Sequence, residues 1–135
     1  MEFVEVNAGN VDGQGFFCYM SKRKAEGYQR KLSWVKERFS EGMRLELLAP
    51  PERGFVEYLP GEHAWRSVYA EGYLFIHCLW VVGKSKGKGF GVALLNECVG
   101  EAKRLGMRGV AMVTSENVWV AGRRLLASQG FECVD

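Results

Sequence analysis

A chain of 135 residues with 18 Lys and Arg against 16 Asp and Glu, 47% of it hydrophobic, has the size and make-up of one globular domain. A net charge of +2 is too mild to mark a nucleic-acid-binding protein, and no apolar run approaches the roughly 18 residues of a membrane-spanning helix. The opening MEFVEVNAGN is not a basic segment followed by an apolar one, so no export signal is expected and a cytoplasmic location is. Cys18, Cys78, Cys98 and Cys133 form no CxxC pair and have only His63 and His77 beside them, so reduced, mostly buried thiols are expected and no metal site.

In chain order, Phe3 to Val6 reads as a short strand, and Asn7 to Gly15 as a loop rich in glycine and asparagine. Ser21 to Glu41 reads as a helix. Its apolar stripe is Tyr28, Leu32, Val35 and Phe39, spaced by four, three and four, and Gly42 stands where a C-cap glycine belongs. Arg44 to Leu48 and Phe55 to Leu59 are strands around the turn Pro50 to Gly54. GYLFIHCLWVV, Gly72 to Val82, is almost wholly apolar and suits a central strand covered on both faces. Phe90 to Leu105 is a helix stopped by Gly106, Gly109 to Thr114 a strand, Trp119 to Ser128 a helix stopped by Gly130, and FECVD the start of a last strand. Antiparallel strands followed by a βαβ rhythm define an α+β chain with some parallel pairing.

The stretch VVGKSKGKGFGVALL, Val81 to Leu95, lies between the central strand and the next helix. A nucleotide-triphosphate loop, GxxxxGK[ST], ending on Gly83–Lys84–Ser85 would need glycine where Cys78 stands. A dinucleotide fingerprint begun at Gly87 or Gly89 would end on Val92 or Leu94 instead of glycine. What remains is Lys86, Gly87, Lys88, Gly89, Phe90 and Gly91 opening a helix. Glycines let a backbone approach a pyrophosphate closely, and helix-start amides point at it. Lys84, Lys86 and Lys88 add charge.

This stretch resembles the (R/Q)xxGxG/A signature of the GNAT N-acetyltransferase superfamily, with Lys86 in the first place. ASQGFECVD, with Gly130–Phe131, resembles the family's closing segment, and the order of elements is similar throughout. The chain also resembles the YoaP-type branch. The resemblance implies a mixed sheet of about six strands flanked by helices, in a single domain over residues 1–135. The last strand is missing, as in a fragment or one domain of a longer protein, and the open sheet edge makes a homodimer an expectation. It also implies acetyl-CoA as co-substrate. Leu79, Trp80 and Val81 would hold the pantetheine arm, Lys86, Gly87, Lys88, Gly89, Phe90 and Gly91 the pyrophosphate, and Asn117 the arm or thiol. Two of Lys84, Lys86 and Lys88 would meet the 3′-phosphate.

The usual acid and base of the family are absent from their places. Leu126 stands where a tyrosine would protonate the thiolate, and Cys78 where a glutamate would drain the amine's proton. His77, Glu57 and Cys78 are the candidates for a base. For each there is a plain alternative: a hydrogen-bonded core histidine, a solvent-facing strand carboxylate and a small core residue. Tyr58 and Tyr73 are candidate acids with packing as their alternative. Phe16, Phe17, Tyr19, Trp65, Glu57 and Glu62 would face a small amine, although Phe16 to Tyr19, just before the helix, equally suit a hydrophobic staple and core. An acetyl-CoA-dependent N-acetyltransferase is the reading; the alternative is an acyl-CoA-binding accessory module with weak or no catalysis. An RNA-binding module is disfavoured because aromatic and basic residues do not interleave.

Overall fold

In a computed structural model, residues 3–16, 24–64, 70–114 and 123–133 are described. Five strands form one sheet in sequence order: β1 (Phe3–Val6), β2 (Arg44–Leu48), β3 (Gly54–Pro60), β4 (Tyr73–Val81) and β5 (Gly109–Met112). The first three pairings are antiparallel and β4–β5 is parallel. The parallel pair follows from the connection: a strand that must return in the same direction needs a crossover, and α3 (Phe90–Arg104) supplies it.

Each face of the sheet buries one amphipathic helix. On one side Tyr28 and Val35 of α2 (Glu26–Phe39) pack with Leu45, Phe55, Leu59 and Phe75. On the other, Leu94, Leu95, Cys98 and Ala102 of α3 pack with Val56, Leu74, Ile76 and Leu79. Full burial of one such aliphatic or aromatic side chain contributes about 1.5–3 kcal/mol. Central β4 supplies Phe75 to one core and Leu74, Ile76 and Leu79 to the other, as its unbroken apolar run requires. Gly42, Gly106 and Gly130 each end a helix with the same paired bonds. At Gly42 they are Met43 N–H to the Arg38 carbonyl and Gly42 N–H to the Phe39 carbonyl, both 3.1 Å.

Three elements differ from the sequence reading. The helix begins at Glu26 rather than Ser21, because Ala25 is extended and serves as its N-cap; residues 21–23 lie outside the described residues. The expected loop at residues 7–15 holds a single turn, α1 (Val11–Gln14). Asn7 and Asn10 build it by each accepting the other's backbone N–H on its side-chain oxygen, at 3.1 and 2.8 Å. Phe131 to Cys133 form no strand, so the sheet has five strands among the described residues rather than about six. Of the last helix, α4 (Arg123–Ser128) is described.

The β3–β4 register slips once. Glu57 stands opposite Cys78, and Tyr58 opposite Ile76, which leaves His77 as an extra residue on β4. This β-bulge breaks the alternation of faces. His77 and Cys78 therefore both turn toward α2, where His77 meets Trp34 and Cys78 joins the α2-side core.

Candidate functional site

β4 stays paired with β3 out to Val81, opposite Gly54. Its pairing with β5 ends at Ile76 opposite Met112. Past that point no strand lies against the second edge of β4 among the described residues. An open cleft of about 220 Å³ lies at this end of the strand. Leu79, Trp80 and Val81 form one wall, Ser85, Lys86, Gly87 and Gly89 the floor, and Phe90, Gly91 and Leu125 the far side.

The floor owes its shape to two left-handed glycines. Gly87 has φ 77° and Gly89 φ 82°, values that carry a penalty of roughly 1 kcal/mol for a residue with a Cβ. A Cβ on either would meet no atom within 4 Å, so neither glycine is there to relieve packing. Gly89 is also the N-cap of α3 and makes no side-chain cap bond. The first amides of the helix, at Phe90 and Gly91, therefore border the cleft with the positive end of the helix dipole behind them.

The loop is stitched to the β2–β3 turn. Ser85 is 3% exposed; its hydroxyl accepts the Arg53 N–H at 2.9 Å and donates to a Glu52 oxygen at 2.8 Å. Val82 N–H donates to the Arg53 carbonyl at 3.0 Å. Lys88 does not line the cleft. Its ammonium stands 3.6 Å from Glu52.

A second group lies on the α2 side of β4. His77 Nδ1 and a Glu57 oxygen are 2.7 Å apart, and the other Glu57 oxygen is 3.6 Å from Lys31 of α2. Glu57 is 2% exposed, which overturns a solvent-facing carboxylate. Burial pushes its carboxyl up, but the His77 hydrogen bond and the Lys31 charge outweigh this and hold it below its ordinary value. The Trp34 ring packs at 5.4 Å from the His77 ring, with the Lys31 ammonium 4.3 Å over Trp34. Lys31 thus touches both groups that flank the imidazole.

The structure gathers eight of the expected cleft residues, Leu79, Trp80, Val81, Lys86, Gly87, Gly89, Phe90 and Gly91, around one opening. Asn117 lies outside the described residues, as do Phe17, Tyr19 and Trp65. Phe16 is core, stacked on Tyr28 at 4.8 Å, and a Glu62 oxygen accepts the Gly72 N–H at 2.6 Å. Tyr58 is 1% exposed on the α3 side, the sheet face away from His77, and burial pushes its hydroxyl well up, which ill suits an acid. Leu126 is buried in the α3-side core; its neighbour Leu125 faces the cleft. Sequence reasoning did not find Ser85, Glu52, Leu125, Lys31 or Trp34. Only the last two carried a signal, being three apart on one helix. Among the described residues, no three His, Cys, Asp or Glu come together as a metal site would require.

Solved structures similar to this chain share its fold. The model of the acetyltransferase (GNAT) family matches residues 22–131. The "uncharacterized N-acetyltransferase YoaP" of Bacillus subtilis (strain 168) is 29% identical over 138 residues, covering 100% of this chain and 55% of that protein. The chain thus spans about half the length of the curated relative it matches. An aminoglycoside 6′-N-acetyltransferase from Acinetobacter haemolyticus has a similar fold, with TM-score 0.74 and 13% identity over 100% of this chain and 93% of that one. So does a "predicted acetyltransferase" from Clostridium acetobutylicum solved with acetyl-CoA, with TM-score 0.68 and 13% identity over 99% and 91%. With a family model matching residues 22–131 of its 135, and that fold around the cleft, this chain belongs to the acetyltransferase (GNAT) family.

Proposed function

We propose that this domain transfers an acetyl group from acetyl-CoA to the primary amine of a small molecule. One observation carries the reading: a single cleft joins a strand edge past the end of β5 to a left-handed glycine floor under an uncapped helix start. The edge suits an extended, amide-bearing arm, and the floor suits a pyrophosphate. In this reading Leu79, Trp80 and Val81 hold the arm, Lys86 to Gly91 hold the pyrophosphate, and Asn117 keeps its expected contact with the arm. The acetyl-CoA in the C. acetobutylicum neighbour supports the donor, and the aminoglycoside acetyltransferase supports a small amine as acceptor.

The neutral amine attacks the thioester carbon; a C–N bond forms and the C–S bond breaks. The amine must lose a proton, and the departing thiolate takes one from solvent. His77 takes the first through water at Nε2, because Nδ1 donates to the ionised Glu57 while Trp34 packs on the ring. Glu57, kept ionised, stabilises the imidazolium that results. Cys78, across the ladder from Glu57, is the second candidate acceptor. A backbone amide of Leu79 to Val81 donates to the oxyanion.

A second reading, a coenzyme A-binding module without turnover, is favoured by α4. It gives the cleft Leu125 and the core Leu126, so neither side chain can protonate a thiolate. Calorimetry with acetyl-CoA, combined with thiol release over a panel of amines, decides. Binding with turnover supports the transferase, binding without turnover of any amine supports the module, and absence of binding rejects both.

A further inference from the structure

Glu52 is out of character with its surroundings. Everything else about the loop favours an anion: left-handed glycines, a helix start, and Lys84, Lys86 and Lys88. Yet a carboxylate is fixed beside it. One Glu52 oxygen is held by the hydroxyl of buried Ser85 at 2.8 Å, and that hydroxyl is itself held by the Arg53 N–H at 2.9 Å. The second oxygen faces Lys88 at 3.6 Å. Lys88 lies between Gly87 and Gly89, both of which line the cleft, but its own side chain does not. The carboxylate is anchored by a buried hydroxyl, whereas the lysine opposite it is 52% exposed on a flexible four-carbon stem.

We infer that Glu52 is a built-in competitor for the phosphates of the coenzyme A thioester. It holds Lys88 away from the cleft lining, and the bound cofactor takes that lysine over. The inference rests on the acetyl-CoA reading above and adds to it a residue that sets cofactor affinity. The exchange makes binding weaker than the loop alone would give, because the Glu52–Lys88 pair must separate first. An exposed pair of this kind is worth up to about 1 kcal/mol, or roughly fivefold in a dissociation constant.

The test is Glu52→Gln. Glutamine keeps an oxygen to accept from Ser85, so the stitch of loop to turn survives while the charge that holds Lys88 goes. By calorimetry at low salt, the acetyl-CoA dissociation constant should fall roughly three- to fivefold, and the gain should shrink as salt rises. In a Lys88→Met background the same substitution should gain less, since no lysine is left to release. With 3′-dephospho-CoA, a gain that persists assigns the exchange to the pyrophosphate and a gain that disappears assigns it to the 3′-phosphate; both support the inference. Weaker or unchanged binding in Glu52→Gln overturns it, and so does an equal gain with Lys88 and with Met, which would be simple repulsion. A parent chain that binds no acetyl-CoA rejects the acetyltransferase reading as well; a parent that binds while Glu52→Gln fails rejects the inference alone.

Discussion

Glu46 should make this fold lose stability as pH rises toward neutrality, and Glu46→Gln should remove the loss. The residue is 5% exposed on β2, directly across the ladder from Glu5 and within the field of Glu97 and Glu101 on α3. The nearby Arg44 is already engaged, at 2.8 Å to Glu5 and 2.8 Å to Glu101, and among the described residues one Glu46 oxygen is buried without a hydrogen-bond partner. Burial first, then the Glu97 charge, push its carboxyl from 4.5 up to about 7, with Arg44 opposing only in part. Between those values the unfolded chain has released a proton that the folded chain still holds. Stability therefore falls as pH rises through this window and levels off above about 7. A gap of about 2.5 pH units has a ceiling near 3 kcal/mol, and relaxation and water near the carboxyl reduce that to about 1–2 kcal/mol. Urea unfolding of parent and Glu46→Gln at pH 4.5 and pH 8, with matched m-values, measures it. The variant should gain about 1–2 kcal/mol on the parent between the two pH values. Equal pH dependence in the two chains, or a variant that loses ground at pH 8, would refute the reasoning.

Three further outcomes follow from the site and its supports. Gly89→Ala puts a Cβ into open space at φ 82°, so thermal unfolding should register about 1 kcal/mol of strain, while acetyl-CoA binding should weaken by 10-fold or more as the Cβ meets the pyrophosphate. His77→Ala should lower kcat by roughly 10²–10⁴ and remove one limb of the pH–rate profile, with acetyl-CoA affinity within about twofold of the parent; an unaltered profile would leave solvent or Cys78 as the proton acceptor. Gly54→Ala, whose Cβ would fall 2.8 Å from Leu48 Cδ1 and 2.9 Å from the Trp80 carbonyl oxygen, should cost about 1–3 kcal/mol in denaturant unfolding by forcing β3 and β4 apart.

What could be read from the sequence was what depends on local pattern. The stripe of α2, the apolar run of β4 and the strand–glycine–helix passage from Val81 to Leu95 each carry their meaning within fifteen residues. The cleft residues were legible because the loop that makes them is continuous. The His77–Glu57 pair was legible only as two separate candidates. Glu57 sits in a strand whose alternation fits an exposed carboxylate as well as a buried one, and its burial depends on Lys31 and His77 arriving from two other elements. The bulge that puts His77 and Cys78 on the same face is a register shift between strands about twenty residues apart, with no glycine or proline to announce it. The Glu52–Ser85 bond spans 33 positions and joins a turn to a loop, both of which read as simple punctuation. Long-range polar pairing of this sort leaves no periodicity to detect.

In the proposed function one cleft, built from the end of β4 beyond its pairing with β5 and the start of α3, holds acetyl-CoA for transfer to an amine. Calorimetric titration of the parent chain and of Gly89→Ala with acetyl-CoA tests it most directly. One saturable site is expected in the parent and a loss of 10-fold or more in the variant, with both chains folded. Equal affinity in the two, or no binding by the parent, would contradict it.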